Sequence, residues 1–278
     1  MSQVAIVTGT SSGIGLATAL ALAKAGHTII ATVRGERGEA SVLEQAALAG
    51  VKLDVRRLDV TDDASVTTMV AGVLADHGRI DVLVNNAGAG HRGTLEQLTL
   101  AEMAASMDVN FWGVARMTQA VLPTMRAARR GRIVTVTSMN GLIAMPFSDA
   151  YNAAKFAVEG LMEGLAPVMA AFGVQVAVVE PGPVRTAFFS NMAGKVGAPD
   201  EEDPYTLMMG RYNDALAALM TGGGETPEGV AAVILEAVTS DEPRFRYQSS
   251  AAASAMAARK IVDVTGQSIV KATRALLG

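Results

Sequence analysis

The sequence predicts a single doubly wound α/β domain on a parallel sheet, and three observations carry that prediction. Short β-type runs alternate with longer helical segments along most of the chain. The strand candidates Val4-Ala5-Ile6-Val7 and Val82-Leu83-Val84 are apolar at every position rather than at alternate ones, as in strands buried on both faces. No fixed-period repeat and no domain-parting linker interrupts the 278 residues. Repeated βα units with such strands put helices on both sides of one sheet.

Residues 4–8 form the first strand, and the glycine-rich turn behind it opens a helix over 13–25. Strands follow at 28–33 and 51–58, a helix at 64–77 and a strand at 82–85. The segment 100–125 is helical, 133–137 a strand, 151–172 a helix and 174–179 a strand. The region 188–225 breaks this rhythm by mixing Gly, Pro, acidic and large apolar residues. An irregular insertion of that length reads as a substrate lid; a helical pair extending the core is the alternative. A C-terminal extension, 249–278, begins rich in Ala and Ser, as a small-residue helix or packed tail would.

Half of the residues are apolar and 18% are charged, enough for a substantial core and against disorder. A net charge of −4 gives no reason to expect nucleic acid as a partner. The basic run Arg126, Arg129, Arg130, Arg132 reads as a solvated helix terminus that complements the helix dipole. The absence of cysteine removes disulfides, thiolate metal sites and cysteine nucleophiles together, and fits a cytoplasmic setting. No membrane span and no secretory signal are expected, since apolar runs are short and the N-terminus lacks a charged segment before an apolar core.

Behind the first strand stands Thr8-Gly9-Thr10-Ser11-Ser12-Gly13-Ile14-Gly15, leading straight into a helix. Glycines at such a turn let backbone N–H groups close on an anion, and the helix N-terminus adds partial positive charge. The spacing is G-x3-G-x-G, not the usual G-x-G-x-x-G, but strand before and helix after are the context a pyrophosphate needs. An acid about 20 positions beyond the glycines would bind the ribose 2′-hydroxyl of NAD. Here the second strand ends Ala31-Thr32-Val33-Arg34, with Val33 in the acid's place and a planar cation beside it. A guanidinium suits a 2′-phosphate, so NADP(H) is expected over NAD(H). An Arg34 that stacks on adenine or is simply solvated is the plainer alternative.

Tyr151-Asn152-Ala153-Ala154-Lys155 sets a phenol and an ammonium at i and i+4, on one helix face. A free phenol has a pKa of about 10, and a nearby cation lowers it toward the range a general acid/base needs. Ser138 ends the strand before that helix, and carboxyl ends of parallel strands are where such sheets place ligands. Asn85-Asn86-Ala87-Gly88 ends another strand likewise, and Asn110 lies inside the following helix. Together these residues, in this order and spacing, resemble the short-chain dehydrogenase/reductase family. Pro181-Gly182-Pro183-Val184-Arg185-Thr186 is similar to its segment after the sixth strand.

The resemblance implies a Rossmann fold and a role for each matching residue. Tyr151 would exchange the proton with the substrate oxygen, and Ser138 would hold that oxygen. Lys155 would lower the phenol's pKa and bond the nicotinamide ribose, while Asn110 would anchor a water joining Lys155 to solvent. Gly9, Ser11, Ser12, Gly13, Ile14 and Gly15 would cradle the pyrophosphate, with Arg34 at the 2′-phosphate and Asp59 and Val60 at the adenine. Asn86, Ala87 and Gly88 would line the cofactor, and Pro181, Gly182, Val184 and Thr186 would cover the nicotinamide. Singly, Ser138 reads equally as a strand-end cap, Asn110 as a structural amide and 85–88 as a turn.

An α/β hydrolase, with its Ser…Asp…His chain order, would need a histidine after its serine, but His27, His77 and His91 all precede Ser138. Three scattered histidines also make a poor metal-ligand set. His91 reads as a solvated loop residue or as part of the substrate mouth. A dinucleotide-binding sensor without chemistry is the alternative function, but it would be expected to lose Tyr151, Lys155 and Ser138. Met139, Leu142, Met145, Pro146, Phe147, Phe188, Phe189, Met192, Met208, Met209 and Tyr212 form the expected substrate wall and lid. They suit a hydrophobic ketone, aldehyde or alcohol: a steroid, a retinoid-like molecule or a long-chain carbonyl. Residues 89–96 resemble the 17β-hydroxysteroid and retinol dehydrogenase branch, and the family implies a homodimer or homotetramer built on helices 100–125 and 151–172.

Overall fold

The computed structural model describes residues 2–189, 191–194, 203–262 and 275. β1 (Val4–Val7) and α1 (Gly13–Lys24) flank the glycine turn, followed by β2 (Thr28–Val33), α2 (Glu36–Leu48), β3 (Asp54–Arg57) and α3 (Asp63–His77). After β4 (Val82–Asn85) and the short β5 (His91–Arg92) come α4 (Leu100–Met107), a π-turn over Asp108–Trp112 and α5 (Gly113–Ala127). β6 (Gly131–Val136), a 3-10 turn over Met139–Gly141, α6 (Asp149–Ala170) and β7 (Val174–Glu180) follow. The described chain continues through β8 (Ala193–Gly194), α7 (Thr206–Gly223), α8 (Pro227–Thr239), β9 (Arg246–Gln248) and α9 (Ala251–Val262).

Among the described residues seven strands form one sheet in the order β3-β2-β1-β4-β6-β7-β9, every pairing parallel. The all-apolar strands have the expected cause, because alternate residues enter two different cores. Ile6, Leu83 and Ile133 face Met117 and Val121 of α5 and Val158 and Met162 of α6. Val7, Val84 and Val134 face the other way, onto Leu22 of α1 and Ile234 of α8. Each such side chain contributes roughly 1.5–3 kcal/mol by leaving water. The order reverses between β1 and β4, which pair through Ala5↔Val82 and Val7↔Val84. Their carboxyl ends therefore splay their loops apart, and the crevice between is where such sheets hold ligands.

Several elements differ from the sequence expectation. The strand expected at 51–58 is only Asp54–Arg57, an edge strand whose charges deter further pairing. Arg56 lies 2.6 Å from Asp54 and 2.8 Å from Asp76. Helix α2 was not foreseen because it buries only Val42 and Ala46 among charged neighbours. The basic run is not a solvated terminus as a whole. Arg132 is partly buried and donates to the carbonyls of Ala237, Val238 and Ser240 at 2.9, 2.7 and 2.8 Å, capping α8. Arg129 donates to the Ala171 carbonyl at 3.1 Å.

The last strand is held by charge. Arg246 lies 2.5 Å from both Glu159 and Glu180 and 2.6 Å from Glu163, tying β9 to α6 and β7. Of the expected lid, α7 is the larger described part, and β8 pairs with β5 in a separate two-stranded sheet. Ser190 and residues 195–202 of that region lie outside the described residues. So does the C-terminal extension beyond Val262, apart from Ala275. Among the described residues no helix is long and apolar enough to cross a membrane.

Candidate active site

A cavity of about 520 Å³ opens at the carboxyl ends of β1, β4 and β6. Every residue named above for cofactor or chemistry lines it except Asn110. At one part of this cavity, Gly9 takes φ +70°, and a Cβ there would lie 2.9 Å from the Ala87 Cα. A Cβ on Gly15 would come within 2.3 Å of the Gly9 carbonyl and 2.4 Å of the Asn86 Nδ2. Asn86 closes the loop by donating to the carbonyls of Thr8 and Gly9 at 2.8 and 3.1 Å. Thr8 Oγ1 accepts from the amides of Asn86 and Ala87, both at 2.9 Å. Ser12 stands at the N-cap of α1 but makes no side-chain cap, so the first amides of the helix face the cavity without an internal acceptor. A cradle that a Cβ would fill, ahead of an uncapped helix, fits a pyrophosphate.

Arg34 is exposed at the end of β2 and lines the cavity. Asp59 accepts from the Thr61 hydroxyl and amide at 2.7 and 2.9 Å. Those bonds, and then the charges of Arg34 and Arg116, hold its carboxyl below the usual range despite burial. Its carboxylate thus shapes the loop around Val60 as well as facing the cavity.

Tyr151 and Lys155 rise from the first turns of α6, both buried, with the ammonium 5.6 Å from the phenol ring centroid. Burial pushes the phenol up to about 12, against a hydrogen bond with Ser138 that favours the ionised form. Burial also brings Lys155 down to about 8, opposed by the charge of Glu159. Desolvation governs the phenol in this arrangement, and Lys155 adds no pull of its own on it. The physical reason is geometric: Lys155 Nζ donates to the Val136 carbonyl at 3.1 Å and stands off the ring. A phenol held this way is neutral near pH 7, which suits it to give a proton rather than take one. Ser138 does double duty, since its Oγ also accepts from the Asn140 amide at 3.1 Å as the cap of the 3-10 turn.

A family model described as short chain dehydrogenase matches residues 3–196. The chain belongs to the short-chain dehydrogenase family. This dehydrogenase is 39% identical to human retinol dehydrogenase 8 over 281 residues, covering 98% of this chain and 89% of that protein. It is 36% identical to human 17-beta-hydroxysteroid dehydrogenase type 1 over 282 residues, covering 97% and 84%. Among solved structures, a short-chain dehydrogenase from Streptomyces avermitilis superposes with a TM-score of 0.81 at 33% identity, covering 98% of this chain and 97% of that one. A metagenomic short-chain oxidoreductase in complex with NADP gives 0.69 at 28%, covering 88% and 94%. The dehydrogenase is thus an oxidoreductase related to retinol and steroid dehydrogenases, on a fold that binds a nicotinamide dinucleotide.

Asn110 sits in the π-turn, fully buried. Its Nδ2 donates to the carbonyls of Ala89 and Ser106 at 2.8 and 2.9 Å, and its Oδ1 accepts from the Ala89 amide at 3.1 Å. It pins the loop after β4 from behind, and Oδ1 keeps one lone pair. Two residues that brace the site give no signal in the sequence. Asn152, inside the Tyr-x-x-x-Lys segment, accepts from Asn140 and from the Met145 amide and donates to the Met145 carbonyl, bracing the wall around Ser138. Glu225 accepts from the Gly182 amide at 3.1 Å and from Ser250 at 2.8 Å, joining the Pro181-Gly182-Pro183 loop to the start of α9. A half-buried carboxylate far along the chain gives no local signal.

The other part of the dehydrogenase cavity is lined by Met139, Met145, Phe188, Phe189, Met192 and Tyr212, with Leu216 and Leu219 added from α7. The remaining wall candidates do not line it. Phe147 and Met209 pack with Tyr212 in a small core, Leu142 packs under α9 and Met208 is exposed. His91 is neither solvated nor cavity-lining; it is buried, with Nε2 unbonded and 4.0 Å from a Glu102 oxygen. Its neighbour Arg92, which the sequence reading passed over, does line the cavity.

Proposed function

We propose that the protein is an NADP(H)-dependent oxidoreductase that interconverts a ketone or aldehyde with its alcohol on a hydrophobic substrate. The observation that carries this reading is the buried Tyr151 phenol, hydrogen-bonded to Ser138 in the same cavity that the glycine cradle opens. A bound nicotinamide supplies the hydride in reduction and accepts it in oxidation. Tyr151 keeps its proton until charge gathers on the carbonyl oxygen, and then donates it. Ser138 offers that oxygen a second hydrogen bond, where electrostatic stabilisation counts most. Lys155 stabilises the phenolate left behind and bonds the nicotinamide ribose. Asn110, through the free lone pair of Oδ1, anchors the water that joins Lys155 to solvent.

Gly9, Ser11, Ser12, Gly13, Ile14 and Gly15 hold the pyrophosphate, with Asp59 and Val60 at the adenine. Asn86, Ala87 and Gly88 run beside the cofactor, and Pro181, Gly182, Val184 and Thr186 close over the nicotinamide. Arg34, with Val33 where an acid would select NAD, supports the 2′-phosphate. The complex of the metagenomic relative with NADP agrees in kind. The apolar wall and the retinol and steroid dehydrogenase relatives support a steroid, retinoid-like or long-chain substrate. A homodimer or homotetramer belongs to the same reading, supported by exposed Leu100, Trp112, Phe156 and Val168 on the helical stretch from α4 through α6. A cytoplasmic setting, expected from the cysteine-free sequence, goes with it.

A panel of apolar carbonyl compounds assayed in parallel with NADPH and NADH tests the reading. NADPH is expected to be preferred by roughly tenfold or more. Tyr151→Phe is expected to lose about 10²–10⁴ in turnover. Equal turnover by the variant removes the proton-transfer role, and a strong NADH preference overturns the role given to Arg34.

A further inference from the structure

Arg92 is 4% exposed, lines the cavity, and has no carboxylate partner among the described residues. Nη1 donates to Asn213 Oδ1 at 2.7 Å and Nη2 meets the Met192 sulfur at 3.5 Å. The guanidinium lies 5.5 Å from the centroid of the Tyr212 ring, while Nε has no hydrogen-bond partner among the described residues. All three neighbours are neutral. A buried guanidinium with an idle N–H is costly, and a planar two-oxygen anion is the partner its fork fits best.

Apolar side chains connect Arg92 to the reacting end. The Phe188 ring lies tilted against the Tyr151 ring, 5.6 Å between centroids. A Cβ on Gly90 would lie 3.1 Å from Phe188 and 2.5 Å from Met192, so both side chains pack over that glycine, and Met192 reaches Arg92. We propose that Arg92 is the anion-binding station of the substrate site, and that the substrate is an apolar oxo- or hydroxy-acid. Its carboxylate sits on Arg92 while the remote carbonyl or alcohol meets Tyr151. This rests on the oxidoreductase reading for the reaction but narrows its substrate class. A site built to pair with a polar group discriminates strongly against analogues that lack it.

Binding separates the two claims, because it needs no turnover. Affinities of dodecanoate and methyl dodecanoate are measured by calorimetry with NADP⁺ present, for wild type, Arg92→Leu, Arg92→Lys and Asn213→Ala. The acid is expected to bind wild type at least about tenfold tighter than the ester. Arg92→Leu should erase that preference and leave ester affinity within about threefold. Arg92→Lys should keep part of it, which covers a Leu variant that fails to fold. Asn213→Ala should keep most of it. Equal affinity of acid and ester for wild type overturns the proposal. So does a preference that survives in Arg92→Leu, or that Asn213→Ala abolishes as fully, since Arg92 would then only tie α7 down. Acid binding without any carbonyl turnover would instead count against the oxidoreductase reading alone.

Discussion

Two serine–tyrosine–cation groups line the one cavity, and they are built differently. Ser138, Tyr151 and Lys155 form the first, with the ammonium 5.6 Å from its ring centroid. Ser148, Tyr212 and Arg92 form the second, with the guanidinium 5.5 Å from its ring. Burial pushes both phenols up and both cations down. Lys155 stands on α6, a helix of 22 residues packed between sheet and α4, and its charge rests on the Val136 carbonyl. Arg92 stands on a two-residue strand, and its partners Asn213 and Met192 come from α7 and from the segment just before β8. On the proposed reading the first group meets the reacting atoms and needs fixing within fractions of an ångström, which a rigid element provides. Recognition groups tolerate loops, and loops are where substrates are told apart.

The largest test of that contrast exchanges the hydroxyls. Tyr151→Phe should lose about 10²–10⁴ in kcat with cofactor affinity intact. Tyr212→Phe keeps the ring under Arg92 and removes only the bond to Ser148. It should change kcat by less than about threefold and act on KM. Equal losses in steady-state kinetics would break the division between chemistry and recognition.

The cations give the next test, through pH. Lys155 titrates near 8 in the fold against 10.5 as a free group. Between those values the unfolded chain holds a proton that the folded chain has released, so stability rises with pH across that window. Below about 8 the full cost of a buried ammonium is present. Lys155→Met should therefore stabilise the protein by on the order of 2–3 kcal/mol at pH 7, less the lost bond to Val136, while abolishing activity. The gain should fade between about 8 and 10.5. Tyr151 acts in the opposite sense: its pKa rises from 10.0 to about 12, so its contribution is lost as pH climbs through that range. Arg92→Met should shift stability without a pH trend there, because a guanidinium keeps its proton. Urea denaturation from pH 7 to 10.5 checks both variants, and a Lys155→Met gain that stays flat would refute the assignment.

The same contrast explains what was legible in the sequence. The glycine turn, Ser138, Tyr151 and Lys155 are local patterns tied to strand ends and one helical turn, and local geometry translates directly into spacing. The two-core sheet was legible because strands buried on both faces lose their alternation, as Val82-Leu83-Val84 does. Arg92 was not legible: an arginine after a strand is ordinarily solvated, and only the packing of Met192, Tyr212 and Asn213 around it removes the water. Glu225 and Arg246 act across 43 and 87 residues of sequence, on Gly182 and Glu159, so no local pattern announces them. Phe147 and Met209 show the converse error. Apolar residues near a cavity serve a neighbouring core as readily as the cavity itself, and composition does not tell the two apart.

The smallest effect separates rigid from pliant directly, by adding one methyl group at each part of the cavity. At Gly15 a Cβ meets the Gly9 carbonyl at 2.3 Å and the Asn86 amide at 2.4 Å, and Asn86 is itself bonded to that loop. Neither neighbour has anywhere to go. Gly15→Ala should cost about 1–3 kcal/mol of stability and should weaken NADP(H) binding. At Gly90 the closest atoms are the Cγ of Met192 at 2.5 Å, its terminal methyl at 3.0 Å and a Phe188 ring carbon at 3.1 Å, all on side chains rather than backbone. Met yields by changing rotamer, so Gly90→Ala should cost under about 1 kcal/mol and leave cofactor affinity unchanged. Moving Met192 should instead disturb Arg92, which it touches, and raise KM for the substrate. Thermal melts with and without NADP⁺, beside KM values, distinguish the pair. If Gly90→Ala were as damaging as Gly15→Ala, the substrate part would be as firmly set as the cradle, and the view that recognition is built on yielding elements would have to be abandoned.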